Sequence, residues 1–187
     1  MSVSKSVAAL AVIAALVKGS VAFSAIGEPE QLAREQQTTA DQVMLILRGI
    51  ANEEYPRGAL DDDAALEYAR REGFRGEVLD VAADYGPSSV QIRMALERIR
   101  RDETVTAIYG FSGGGYNTRH IWEHLSAGER ERIYRVIVLG SPGVDESHFA
   151  GNPDVLIRLD PPEGHIAGPK ALLESLGPET SERQPAD

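Results

Sequence analysis

Cysteine is absent from all 187 residues of the chain. This absence excludes a disulfide-stapled scaffold, a thiolate zinc site, an iron–sulfur cluster and a cysteine nucleophile. Basic residues are also scarce, because 19 Lys and Arg stand against 29 Asp and Glu and give a formal net charge of −10. Nucleic-acid binding depends on cations that neutralise phosphates, and no basic stripe is visible, so nucleic acid is not expected as a partner.

No apolar run is long enough by itself to span a bilayer. The longest, residues 7–17, has eleven residues and as a helix would rise about 16 Å, roughly half a hydrocarbon core. Lys5 before it and the small residues Ser20, Ala22 and Ser24 after it are typical of a secretory signal peptide. We therefore predict a signal over residues 1–25 and an exported, periplasmic or secreted protein with no stable membrane span after cleavage. An uncleaved membrane anchor and a buried N-terminal helix of a cytoplasmic protein are the alternatives.

The rest of the chain has the composition of one globular domain. Hydrophobic residues make up 42% and charged residues 26%, which excludes a multispan membrane protein and a wholly disordered chain. We place the domain at residues 26–177. Residues 178–187 have no apolar periodicity and are expected to form a flexible tail.

Strand-like and helix-like segments alternate through this domain. Apolar or β-branched runs predict strands at residues 43–47, 76–85, 104–109, 135–139 and 155–159. Amphipathic spacing and capping residues predict helices at 61–73, from 87 onward, at 114–125, 127–133 and 169–176. Strands separated by helices favour a parallel sheet. The predicted fold class is therefore α/β, three αβα layers with a mostly parallel five-stranded sheet.

The segment after the third predicted strand fits the pattern GxSxG, with Gly110, Ser112 and Gly114, and a helix follows it. This context is typical of a nucleophile elbow, in which a strained turn lifts the serine above the sheet edge. The N–H of Gly113 would then stabilise an oxyanion at the start of the helix. A phosphate-cradling loop and a plain tight turn are the other readings of this segment.

A serine nucleophile needs a base, an orienting acid and a second oxyanion donor. The loop after the last predicted strand offers Asp160 as the acid and His165 as the base, in the chain order Ser, Asp, His. Competing residues are Asp145 or Glu163 for the acid, and His148 for the base. The second donor is expected in the loop after the first strand, from the N–H of Ile50 or Ala51.

Three stretches together resemble the α/β-hydrolase superfamily and its lipase and esterase branches. They read GFSGGG at 110–115, RVIVLGSPGVDESHFAG at 135–151 and IRLDPPEGH at 157–165. The resemblance implies Ser112 as nucleophile, Gly113 as oxyanion donor, Asp160 as acid and His165 as base. Members of this superfamily usually have about eight strands and a longer stretch between acid and histidine. With only five readable strands, the chain is similar to the small cutinase-like hydrolases, and the short loop from Asp160 to His165 departs from the family pattern.

The sequence thus predicts a serine hydrolase that cleaves a small or lipid-like ester or thioester through an acyl-enzyme. No organic cofactor or metal is implied by this chemistry. A noncatalytic binding module on a hydrolase-like sheet is the alternative from another class. A third reading is a zinc peptidase, because His120, Glu123 and His124 form an HxxEH pattern on a predicted helix.

Overall fold

The computed structural model describes residues 42–84, 86, 88–152 and 154–179. The predicted signal segment and all but two residues of the predicted tail lie outside these ranges. The strands are β1 (Val43–Leu47), β2 (Arg75–Leu79), β3 (Val105–Phe111), β4 (Arg135–Leu139) and β5 (Asp154–Arg158). The α-helices are α1 (Asp62–Arg71), α2 (Val90–Arg101), α3 (Gly113–His124), α4 (Ala127–Arg132) and α5 (Gly168–Glu174).

The five strands form one parallel sheet in the order β2-β1-β3-β4-β5. Every residue of β1 and β3 is buried, as the uninterrupted apolar run of β1 predicts for a strand covered on both faces. Leu45 belongs to the core cluster shared with α2 and α3, whereas Met44 and Ile46 belong to the cluster shared with α1 and α5. The predicted α/β three-layer class is therefore confirmed.

Two predicted boundaries differ from the structure on either side of one turn. β2 was expected to continue to residue 85 but ends at Leu79, because the chain turns there and the Val81 N–H donates to the Leu79 carbonyl at 2.8 Å. Ala83 then makes a single parallel bridge with Ile50. The next helix begins at Val90, later than expected, because the Ser89 hydroxyl accepts the Ile92 N–H and caps it.

The strand order places a crevice between β1 and β3. The connection after β1 leads to β2 on one side of the sheet, whereas the connection after β3 leads to β4 on the other. Loops that diverge in this way leave an open site at the carboxyl ends of the strands. The two segments that border it are the loop after Leu47 and the Ser112 turn. No helix in the described ranges is long and apolar enough to cross a bilayer.

The sheet core gives a first test of the packing. Leu45 is fully buried, whereas Leu159 is 67% exposed. Comparing Leu→Ala at the two positions therefore measures how much of the stability loss comes from core packing. We expect Leu45→Ala to lower the free energy of unfolding by about 2–5 kcal/mol and Leu159→Ala by less than about 0.5 kcal/mol. Urea unfolding followed by circular dichroism measures both, and equal losses would contradict the packing described.

Candidate active site

Ser112 occupies a strained turn between β3 and α3. Its backbone angles are φ 54° and ψ −121°, and it is the one non-glycine residue with a positive φ in the described part of the chain. The Ser112 N–H donates to the Leu139 carbonyl at 2.8 Å, and the Ser141 hydroxyl donates to the Ser112 carbonyl at 2.7 Å. These two bonds hold a conformation that costs about 1–3 kcal/mol in an unconstrained chain.

The glycines of the GxSxG motif are required by close backbone approach. A Cβ added at Gly110 would lie 2.6 Å from the Gly114 carbonyl oxygen. A Cβ added at Gly114 would lie 2.5 Å from the Leu47 carbonyl oxygen and 2.6 Å from that of Arg48. Only residues without a Cβ let the first turn of α3 pack this tightly against the end of β1. The serine thus stands directly over the crevice.

His165 and Asp160 lie together on the other side of Ser112. The His165 Nδ1 is 2.6 Å from Asp160 Oδ1, and the imidazole stacks on the ring of Phe111 with centroids 4.8 Å apart. Both side chains also lie over Gly140, where an added Cβ would be 2.6 Å from Asp160 Oδ1 and 2.7 Å from His165 Cε1. The residue that precedes Ser112 therefore supports the histidine ring.

The bond to Asp160 decides which ring nitrogen of His165 is available. When Nδ1 carries the proton and donates it to the carboxylate, Nε2 is left as an acceptor. Within the described residues, no hydrogen bond of 3.5 Å or less joins the Ser112 hydroxyl to this ring. Bonds between a nucleophile and its base are often long before substrate binds.

Two backbone N–H groups meet beside Ser112. A Cβ added at Gly113 would lie 3.2 Å from the Ile50 nitrogen, and the three atoms nearest to it belong to Ile50 and Ala83. Among the described residues, neither the Ile50 N–H nor the Gly113 N–H has an acceptor. The N–H of Asn52, two residues further along the same loop, is by contrast bonded to the Tyr55 carbonyl. Of the two residues expected in this loop, the structure brings Ile50 rather than Ala51 next to Gly113.

None of the competing acid and base residues is bonded to His165, and Asp145 and His148 are bonded within a different turn. Asp145 Oδ1 accepts from the Ser147 N–H at 2.9 Å, and hydrogen bonding from Ser147 is the main cause that lowers the pKa of Asp145. His148 Nδ1 accepts the Asp145 N–H at 3.1 Å in the same short turn. Glu163 has no hydrogen-bond partner in the described ranges. The structure brings Asp160, and none of these residues, to His165.

The HxxEH pattern does not assemble a metal site. Glu123 pairs with Arg119 at 3.0 Å and with His120 at 3.2 Å, and the Arg119 hydrogen bond is the main cause that lowers the pKa of Glu123. His124 Nδ1 lies 2.7 Å from the carbonyl oxygen of His120. Among the residues that the structure describes, no three His, Asp or Glu side chains are grouped to hold a metal ion.

Sequence reasoning missed several residues that shape the site. Gly49 leaves room for Ser112, because a Cβ there would lie 2.9 Å from Ser112 Cβ. Gly140 makes room for the acid and the histidine, Ser141 fixes the elbow and Phe111 supports the imidazole. Their positions were the available signal, since each of the four lies within two residues of the carboxyl end of a strand.

A cavity of about 290 Å³ opens beside the paired N–H groups. Ile50 and Gly113 line one part of it, and the rest is lined by Asp84, Gly86, Tyr116, Asn117 and His120. Its size is near the lower limit of ligand pockets in proteins.

No family model and no curated protein sequence matches the chain. Among solved structures, the chain is similar to a cutinase of Trichoderma reesei in complex with a C11Y4 phosphonate inhibitor. The two share 14% sequence identity with a TM-score of 0.45, and the match covers 77% of this chain and 81% of the cutinase. A likeness of this degree says nothing about activity, so the function has to be inferred from the residues of the site.

Gly140 offers a test of how His165 is held. Gly140→Ala would place a methyl group against His165 and Asp160, so we expect the hydrogen bond between them to be lost or displaced. Gly143→Ala is the matched control, because Gly143 also has a positive φ but nothing within 4 Å of the added Cβ.

The measurement is the NMR signal of the His165 ring proton shared with the Asp160 carboxylate, together with the melting temperature. Both variants should lose a similar backbone contribution of about 1 kcal/mol or more. The ring proton should shift only in Gly140→Ala. An unchanged ring signal in that variant would contradict the close packing.

Proposed function

We propose that the protein is a serine hydrolase that cleaves a carboxylic ester or thioester through an acyl-enzyme on Ser112. The observation that carries this proposal is the positive φ of Ser112 beside the His165–Asp160 pair. Strain held by surrounding hydrogen bonds at a crevice is more often functional than structural. An acid, a histidine and two unoccupied N–H donors around one serine supply each group that acyl transfer requires.

In the proposed reaction, Ser112 Oγ attacks the carbonyl carbon of the ester. His165 Nε2 takes the hydroxyl proton, and the Asp160 carboxylate stabilises the imidazolium and keeps the ring oriented. The carbonyl oxygen becomes an oxyanion, which accepts hydrogen bonds from the N–H groups of Ile50 and Gly113. The imidazolium then protonates the leaving alcohol or thiol, and an acyl-enzyme remains.

Water completes the cycle by the same groups in reverse roles. His165 deprotonates a water molecule that attacks the acyl carbon, and the second oxyanion forms against the same two donors. Collapse of this intermediate releases the carboxylic acid and returns the proton to Ser112 Oγ. Neither half of the cycle changes an oxidation state. The named side chains and N–H groups are therefore sufficient for the proton transfers and the oxyanion stabilisation that the cycle requires.

The cavity beside Ile50 and Gly113 is the proposed site of the acyl group. The walls of this cavity continue from the donors along α3 to Tyr116 and His120. An acyl chain extending from the carbonyl carbon would enter this space directly. Its volume of about 290 Å³ suits a short chain better than a long one.

The nucleophile and its base are tested with a fluorophosphonate probe on the purified protein. Labelling should occur in the wild type and be lost in Ser112→Ala and His165→Ala. With a p-nitrophenyl ester, the same variants should lose about 10⁴-fold or more in kcat, and Asp160→Asn a loss that approaches this value.

His148→Ala and Asp145→Ala are the matched controls, since they truncate the same residue types in the neighbouring turn. Both should label and turn over at rates close to those of the wild type. If the folded wild type fails to label, the proposal is wrong and a noncatalytic binding module is favoured. If His148→Ala loses activity while His165→Ala keeps it, the base has been misassigned.

The acyl pocket is tested by chain length. We expect kcat/KM on p-nitrophenyl esters to be highest for short acyl chains and to fall for long ones. His120→Trp should fill part of the cavity and move the optimum to shorter chains, with acetate hydrolysis nearly retained. His124→Trp, one helical turn further along α3, lies outside this cavity and is the control. An unchanged profile in His120→Trp would place the acyl group elsewhere.

A further inference from the structure

Two amide side chains lie buried beneath the crevice. Gln91, in the first turn of α2, is fully buried, and Asn117, in α3, is 3% exposed. Polar side chains are buried at a cost unless they are hydrogen-bonded, and an apolar residue of similar size would fill either position at less cost. The hydrogen-bond partners of the two amides therefore indicate what the amides contribute to the structure.

The Gln91 amide joins three segments of the chain. Its Nε2 donates to the carbonyl oxygens of Arg48 at 3.0 Å and of Val81 at 2.9 Å. Its Oε1 accepts from Asn117 Nδ2 at 2.9 Å. Both donor hydrogens and the acceptor oxygen are thus used, which leaves the side chain a single orientation.

The two carbonyls flank the loop that carries the Ile50 N–H. Arg48 lies two residues before Ile50, and Val81 lies two residues before Ala83, which is the bridge partner of Ile50. The bridge itself contains one short backbone bond, from the Ala83 N–H to the Gly49 carbonyl at 3.0 Å. Gln91 holds both segments at their entry to this bridge.

Asn117 connects the same amide to the second N–H group. It lies one helical turn after Gly113 on α3, so its position is rigidly linked to that of Gly113. Asn117 Nδ2 also lies 3.3 Å from the Ser89 hydroxyl at the start of α2. The hydrogen bond between Asn117 and Gln91 therefore links the helix that presents Gly113 to the loop that presents Ile50.

From this geometry we propose that Gln91 is a positioning residue for the oxyanion hole, one that sets the separation of the Ile50 and Gly113 N–H groups. The proposal rests on the proposed serine hydrolase function. Gln91 touches no reacting atom in this arrangement. It acts through Arg48, Val81 and Asn117, and its loss should weaken the stabilisation of the oxyanion more than the binding of substrate.

The test is Gln91→Met, which keeps the length of the side chain and removes its hydrogen bonds. We expect kcat on a short p-nitrophenyl ester to fall about 10-fold or more, short of the 10²–10³-fold loss typical of removing a donor. KM should change less than threefold. The wild type should prefer an ester to its thionoester, whose sulfur accepts hydrogen bonds poorly, and this preference should shrink in Gln91→Met.

Tyr68→Phe is the control for a general loss of stability. It removes a buried hydrogen bond, from Arg135 to the Tyr68 hydroxyl at 3.0 Å, in the core cluster on the opposite face of the sheet. This variant should keep both kcat and the ester to thionoester ratio. If Gln91→Met does not fold, Asn117→Ala keeps the Gln91 bonds to Arg48 and Val81 and should reduce the ratio less strongly.

The outcomes separate this inference from the function on which it rests. If the wild type labels with fluorophosphonate but Gln91→Met keeps the wild-type ester to thionoester ratio, the positioning role alone is overturned. Where Gln91→Met does not fold, an unchanged ratio in Asn117→Ala has the same meaning. A folded wild type without labelling or ester hydrolysis would overturn both. A reduced ratio in Tyr68→Phe as well would show that the effect is a general response to lost stability.

Discussion

The arrangement of the site depends on one backbone constraint, the positive φ of Ser112 at the end of β3. The Ser112 side chain lies against Gly49, and the turn persists because Leu139 and Ser141 bond its N–H and its carbonyl. Tight packing beneath it is possible because Gly110 and Gly114 have no Cβ. The sheet holds Gly110 and Leu139 in register, since both lie in paired strands. The strain is therefore supported by the rest of the fold.

Neighbouring strands bring the remaining groups to the same edge. β1 leads to the Ile50 loop on one side of the elbow, and β5 leads to the loop of Asp160 and His165 on the other. Asp160 and His165 are partly exposed, so solvent and substrate can reach them. Gln91 and Asn117 are buried, and the donors and the acceptor of the Gln91 amide are all bonded. The buried amides thus support the Ile50 side of the elbow, whereas the His165–Asp160 pair rests on Phe111 and Gly140.

Several strands could be predicted from local sequence patterns. The bounds of β1 and β4 agree with the apolar runs at 43–47 and 135–139, because strands buried on both faces leave continuous apolar sequence. The predicted end of β2 was wrong. Val81 and Ala83 belong to a turn and a bridge, but both are apolar, so the apolar pattern of the strand continues beyond its actual end. Boundaries of this kind depend on backbone partners far along the chain, here Gly49 and Ile50.

Local sequence patterns are enough to predict the α/β class and the strand–turn–helix setting of Ser112, because strands buried on both faces leave continuous apolar runs and tight turns require glycine. Tertiary structure alone decided which residues meet. It placed the His165–Asp160 pair against Phe111 and Gly140, and it set Ile50 rather than Ala51 beside Gly113. These choices depend on contacts between residues distant in the chain or between loops of similar composition, and no local pattern records a distance across the sheet.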